Sequence, residues 1–316
     1  MSAVLPGQAK RHIAPVAALL LLCFLWSVQS LRSDLFPGLI PAAMPPIELD
    51  ILSFGLLAIA AFLVGWKRKA RWPRSGQIWA SILIGLGLFV VPAILLSLAA
   101  DRVSSFTRVA LFGLAPVFAV VLEPHFDSPS GGRENSNGLA AALVALVGML
   151  CVFPLAAPAT WEAALADCAV VVAAASVAAA NHWAVYLAGQ GEPFAPMAAL
   201  AASAAALGLA AFAISERIAW NWGASSVSLA WVSFVDLPAL ALLFWLMGRI
   251  SAARMMTRFV IAPLMTILMG IALEQPALGL RTWIGLALMA AGACWLLSGR
   301  GHQATGITLP LNLDRG

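Results

Sequence analysis

Apolar runs of about twenty residues recur ten times along the chain, near residues 13–31, 47–66, 76–98, 103–122, 138–156, 163–187, 194–214, 226–247, 252–273 and 282–298. Twenty apolar residues in a helix make one crossing of a hydrocarbon layer ~30 Å thick, so the pattern asks for a bilayer around it. The runs are too rich in Ala and Leu for barrel strands, and none alternates with period two, so each is expected to be a helix. Composition agrees: 62% of the residues are hydrophobic and 10% charged, with a mean hydropathy of +0.94. A soluble domain carries about a quarter charged residues. Disorder, collagen and small disulfide scaffolds are excluded. Cys23, Cys151, Cys168 and Cys294 all lie inside apolar runs without paired or metal-ligand spacing, so they read as small apolar fillers and no metal site is expected.

The 18 Lys and Arg against 14 Asp and Glu leave a net charge of +4. Placement argues against nucleic acid as the partner, because nearly all of these charges lie between the runs. The densest group, Lys67, Arg68, Lys69, Arg71 and Arg74, is flanked by Trp66, Trp72 and Trp79, the arrangement of a membrane edge. Trp161, Trp220, Trp222 and Trp283 read as the same interfacial belt. The first run follows Lys10 and Arg11 and could pass for a secretory signal, yet no small-residue cleavage site follows Trp26 and nine runs come after it. It is therefore expected to stay as helix one. With the N-terminus inside, twelve Lys and Arg fall on the cytoplasmic side and only Arg32, Arg102, Arg217 and Arg281 outside. That bias, with an even number of spans, predicts cytoplasmic tails at 1–12 and 299–316.

Two distant stretches share their punctuation. Pro92 and Pro116 stand in the third and fourth runs, Pro238 and Pro263 in the eighth and ninth, and Gly148 in the fifth aligns with Gly292 in the tenth. A duplicated unit with five crossings must enter the membrane upside down in its second copy. The fold class expected is thus an all-α membrane protein, ten transmembrane helices arranged as two inverted five-helix repeats over 13–156 and 163–298. That plan places a site near the repeat interface, and the four prolines are its candidate hinges.

The segment from Ser251 to Leu297, with Arg254 and Arg258 before Pro263, then Glu274, Trp283 and Gly285, resembles the end of an EamA-type domain of the drug/metabolite transporter superfamily. The first half is similar to it more weakly, through Trp26, Pro45 and the text around Arg108, and departs from it at Phe54, where the family often carries an Arg, and at Glu123, which Pro124 and His125 follow. The resemblance implies a bacterial inner-membrane carrier that moves small polar or amphipathic metabolites, such as amino acids, outward more than inward.

A charge near the bilayer centre costs at least about 2.5–3.5 kcal/mol, so each one is a candidate site. Asp236 lies deepest, two residues before Pro238, where the missing N–H frees a carbonyl one turn back. It is either a binding or proton-coupling carboxylate or a partner for a neighbouring Arg. Arg108 and Arg258 lie in the fourth and ninth runs. Each could bind an anionic group, pair with a carboxylate, or snorkel to the interface, and snorkelling is the ordinary outcome. Arg254, one turn before Arg258, is expected on the same face. Glu48 and Asp50 open the second run near the outer surface, where solvation is expected ahead of proton coupling. Asn181, His182 and Trp183 form the polar run of the sixth span, with packing as the default role for the His. Trp26 and Gln29 lie one turn apart in the first span, and Trp183, Tyr186, Trp231 and Trp245 stand in spans that the resembled family uses to line its cavity.

No nucleotide loop, zinc motif, glycine-flanked nucleophilic serine or paired-carboxylate constellation is present, so no enzyme and no cofactor is expected, with proton coupling left open. The reading is a secondary active or facilitative transporter, monomer or homodimer, whose partners are a small-molecule substrate and the lipid bilayer. The competing readings are a membrane-embedded lipid-handling enzyme and a non-transporting partner with a transporter-like shell.

Overall fold

The structure, a computed structural model, describes residues 6–31, 46–126, 135–189, 194–218, 229–274 and 278–298. Among these the chain is helical with no strand: α1 (Pro6–Ser30), α2 (Pro46–Lys67), α3 (Ser75–Ala99), α4 (Ser105–Phe112 and Ala115–Phe126), α5 (Asn135–Val152), α6 (Trp161–Gly189), α7 (Phe194–Ser215), α8 (Leu229–Met247), α9 (Ala252–Met256 and Arg258–Glu274) and α10 (Leu280–Ser298). Eight are long and apolar enough to cross a membrane, whereas the apolar parts of α1 (Ala14–Ser30) and α5 (Asn137–Val152) are shorter. The fifth run, expected over 138–156, stops at Val152 because Pro154 can neither donate its backbone hydrogen bond nor leave Phe153 free to be helical. The expected connections Leu35–Pro46, Asp127–Gly138 and Gly189–Pro193 fall largely outside the described residues. So do Arg32, Arg133, Trp220, Trp222 and both tails, and the side chains of Lys10, Arg11, Pro124, His125 and Glu274.

Helices five apart in the chain end, bend and pack by the same local devices. α2 and α7 each close with a left-handed residue two positions past the helix, Lys69 (φ 49°) and Arg217 (φ 53°). In both cases the next N–H reaches back to the carbonyl five residues earlier, Ala70 to Gly65 at 2.9 Å and Ile218 to Ala213 at 3.0 Å, which is a Schellman closure. α3 and α8 each contain a π-turn, Leu86–Val90 and Val232–Asp236, that ends two residues before Pro92 and Pro238. A proline cannot donate to the turn before it, and the wider turn shifts the preceding N–H onto a carbonyl five residues back, Val91 to Leu86 and Leu237 to Val232. α4 and α9 start with Ser104 and Ser251, whose hydroxyls cap the N–H groups of Thr107 and Arg254, and each cap stands twelve residues before its Pro116 or Pro263.

Packing repeats as well. α5 lies along α10, and α2 along α7, over most of their lengths. A Cβ placed on Gly148 would stand 2.5 Å from Met289 N and 2.7 Å from Gly285 O. One on Gly292 would stand 2.5 Å from Ala145 N and 2.8 Å from Ala141 O. Each neighbourhood is the other with its numbers shifted by 144. Only hydrogen fits at these two crossings, so backbones meet directly, as helices do where lipid gives no hydrophobic drive for association. α3 nests against α6 and α7 through Gly85 on Ala201, Gly87 on Ala180 and Gly208 on Val90.

The two ends of the bundle are marked by contacts between neighbours. Gly65 near the end of α2 lies against Ala195 and Pro196 at the start of α7, and Gly248 after α8 against Ala188 near the end of α6. Residues 67–74 and 249–254 therefore share one end. At the other, Arg281 donates to Leu150 O at 3.2 Å and Arg102 pairs with Glu162 at 3.3 Å.

Gly148→Ala and Gly292→Ala should each lower stability by about 1–3 kcal/mol, because the methyl meets backbone that cannot yield. Gly270→Ala, with no neighbour within 4 Å, should be neutral or slightly stabilising. Thermal unfolding in detergent measures all three, and equal effects would remove the direct backbone contact between α5 and α10.

Candidate functional site

α9 changes its winding just before the residue of interest. After the turn Ala252–Met256, Thr257 Oγ1 donates to Arg254 O at 2.6 Å and Val260 N–H takes Thr257 O three residues back. A three-residue turn breaks the four-residue register, so the face expected to be shared by Arg254 and Arg258 does not run through. Arg254 is half-buried and coupled electrostatically to Glu123 on α4. Arg258 is 2% exposed and does not snorkel. The reason is α1, which packs over this stretch of α9 with Ser27 Oγ donating to Ala262 O at 3.0 Å and leaves the side chain no route to the interface.

Around Arg258 the neighbours are rings and a thiol. Its guanidinium carbon lies 4.8 Å from the Phe259 ring centre and 5.5 Å from that of Trp26. Cys23, buried one turn before Ser27, is near enough to interact with it electrostatically. Among the described residues its Nε and Nη1 have no hydrogen-bond partner, and no carboxylate pairs with it. Cation–π contacts are each worth about 0.5–2 kcal/mol. An uncompensated buried ion costs several kcal/mol. The rings offset only part of that cost.

Phe259 also touches Phe112 of α4, with ring centres 5.5 Å apart. The two stand at matching places, each four residues before the proline of its helix, Pro116 or Pro263. At the position of α4 that matches Arg258, five residues before Pro116, the side chain is Leu111. The charge therefore has no counterpart in the first half.

Asp236 is the last residue of the α8 π-turn and is 5% exposed. Ser53 of α2 donates to its Oδ2 at 3.3 Å while also donating to Leu49 O at 2.7 Å. Beside Ser53, Phe54 meets Phe89 in a tilted contact with ring centres 4.4 Å apart, and Phe89 meets Phe244 at 6.2 Å, so an aromatic wall joins α2, α3 and α8. Asp236 thus belongs with α2 and Arg258 with α1, and the two charges do not pair. Val90 occupies the place in α3 that Asp236 occupies in α8, each ending its π-turn. Trp231 is half-buried just before the α8 π-turn. Glu48, expected to be solvated, is fully buried in the first turn of α2.

The polar run of α6 fastens helices together. His182 Nε2 lies 2.7 Å from Ala119 O of α4, and a carbonyl only accepts, so this nitrogen carries the proton. Asn181 Nδ2 donates to Ala252 O of α9 at 3.4 Å, while its Oδ1 has no partner among the described residues. Trp183 is 48% exposed and meets Tyr186 edge to face at 6.3 Å. Arg108 is half-buried with Nε unpartnered among the described residues, and Gln29 is half-buried one turn from Trp26. Of the residues singled out in the sequence, the structure brings Arg258 and Trp26 together. Sequence reasoning passed over Ser27, Ser53 and Phe259 and read Cys23 as an apolar filler, each of them next to or one turn from a residue it did single out.

No family model and no curated protein matches this chain. A solved structure described only as a protein crystal structure is similar at a TM-score of 0.70 and 19% identity, over 90% of this chain and 98% of that one. Identity that low makes it a likeness of fold alone.

Ser27→Ala removes a side-chain bond between α1 and α9, a contact that averages about 0.6 kcal/mol inside membranes. Unfolding of the detergent-solubilised protein should show a loss of that order. A loss several times larger would mean that Ser27 organises more than this one helix contact.

Proposed function

We propose that the chain is a secondary transporter of the drug/metabolite kind, with ten spans in two inverted halves, both termini cytoplasmic, that exports small polar or amphipathic metabolites by alternating access. The observation that carries this reading is the recurrence of local devices in helices five apart. The Schellman ends of α2 and α7, the π-turns of α3 and α8, the serine caps of α4 and α9 and the glycine crossings of α5 and α10 all fall at matching positions. Two copies of a unit with an odd number of crossings are related by a two-fold axis in the membrane plane, and carriers built this way hold their cargo near that axis. The contact of Phe112 with Phe259, residues at matching positions, supports placing the axis between α4 and α9.

In this mechanism α5 and α10, joined backbone to backbone, act as the fixed part. The π-turns before Pro92 and Pro238 are the bending points, since a helix with a missing bond and a wide turn flexes there at least cost. Asp236, on the last residue of one such turn, is the polar group whose surroundings change most as α8 bends, and it serves as a coupling or anchoring carboxylate.

Proteoliposomes loaded with a mixture of isotopically labelled amino acids and aromatic metabolites, with and without an imposed pH gradient, test this. Selective efflux of a subset is expected, slowed roughly tenfold or more by Asp236→Asn, the worth of one hydrogen bond to a charged group. Efflux indistinguishable from empty liposomes across the mixture would end the transporter reading, and unchanged efflux in the variant would remove Asp236 from the mechanism.

A further inference from the structure

The buried guanidinium of α9 carries the reading one step further, to the chemistry of the cargo, and rests on the transporter assignment above. Arginine stays charged at any physiological pH and has five N–H donors in a rigid fork. Here two of the donor nitrogens, Nε and Nη1, have no acceptor among the described residues, although the side chain is 2% exposed. Nε shares with Nη2 the edge that takes both oxygens of a carboxylate, and Nη1 shares the end edge with Nη2, so each bidentate edge of this fork has one of the two unpartnered nitrogens. The fold gives acceptors to three serine hydroxyls of the bundle: Ser27 has Cys23 O and Ala262 O, Ser53 has Leu49 O and Asp236, and the half-buried Ser176 has Gly87 O. The same bundle leaves Arg258, the one fully buried Lys or Arg among the described residues, with rings and a thiol.

The rings are informative in themselves. Trp26 and Phe259 border the guanidinium, and Phe112 extends the aromatic surface from Phe259 to α4. Flat apolar surface next to a guanidinium with two unpartnered nitrogens fits a small anion that has an apolar, planar body. It fits poorly with a fully hydrated inorganic anion, which would lose its water against those rings. The position next to Phe259, where matching residues of the two halves meet, is where both sides of the membrane can reach a cargo in turn.

The geometry points to Arg258 as the anchor for the carboxylate of a small aromatic or amphipathic monoanion, with Trp26 and Phe259 bordering its apolar body. The first half offers Leu111 at the matching position, so the protein holds one such anchor. An anionic lipid headgroup shares the chemistry of the charged end, and the test separates the two sources.

Phenylacetate, 2-phenylethanol and 2-phenylethylamine share one ring and differ in charge, and serve as probes in nanodiscs of phosphatidylcholine alone and with phosphatidylglycerol added. Phenylacetate should raise the unfolding temperature of the native protein in phosphatidylcholine nanodiscs and the other two should not. Arg258→Gln should abolish that shift, and Arg258→Lys, which keeps the charge but loses the fork, should weaken phenylacetate binding by roughly tenfold. Without probe, Arg258→Gln should melt no lower than native and by up to about 2–4 °C higher, because an uncompensated buried charge has been removed. A structural arginine would do the opposite, and a lower melting temperature of the probe-free variant would overturn the proposal. So would equal shifts by all three probes, or stabilisation that needs phosphatidylglycerol and ignores phenylacetate, which would assign the guanidinium to lipid. Efflux from proteoliposomes that Arg258→Gln leaves intact would sink the anion anchor while the transporter reading stands. Phenylacetate binding without any efflux would do the reverse.

Discussion

Inside a bilayer no water is at hand to receive a backbone N–H or C=O that the chain leaves open, and every other feature of this protein follows from how that demand is met. Uninterrupted helices meet it by themselves. Where the helices are interrupted, a substitute stands at the break: a serine hydroxyl at the start of α4 and of α9, a left-handed closure after α2 and α7, and a five-residue return of the bond before Pro92 and Pro238. The closures are met even by Lys69 and Arg217, side chains that do not favour positive φ, so the bonding takes precedence over residue preference.

Once the backbones are self-contained, association depends on how closely they approach. The text of α6 and α7 is dominated by alanine, and glycine stands at the tightest crossings of α5 with α10 and of α3 with α7. Larger side chains concentrate elsewhere, in the aromatic wall of Phe54, Phe89 and Phe244 and in the ring pair of Phe112 and Phe259. Tight contacts thus hold these helix pairs, while rings and two of the buried charges, Asp236 and Arg258, lie among α1, α2, α4, α8 and α9.

Apolar spans were legible because lipid imposes a length on any apolar run, and eight helices here are long enough to cross, while the spacing of Pro92, Pro116, Pro238 and Pro263 can be read from the text itself. What remained hidden had no signal of that kind. The breaks at Gly113 and Thr257 come from tight local turns rather than from a charged or polar interval. Arg258 looked like a residue that would reach for the interface, since depth along a helix can be counted from sequence but the neighbour that covers its face cannot. Glu48 was misread for the same reason: its place near the start of α2 suggested water, and tertiary packing removed it. The partners Ser27 and Ser53 are common residues whose roles exist only once α1 meets α9 and α2 meets α8.

The wide turns of α3 and α8 have a mechanical consequence. Each holds one residue more than an ordinary turn, and such a surplus can travel along a helix by exchanging one bond at a time, without unwinding the rod. A shift by a single position would rotate the intervening side chain by about 100° around the helix axis. For Asp236, sitting at the edge of that surplus, such a one-position slippage would turn the carboxylate away from Ser53, so a small change in winding would become a change of address for a charge.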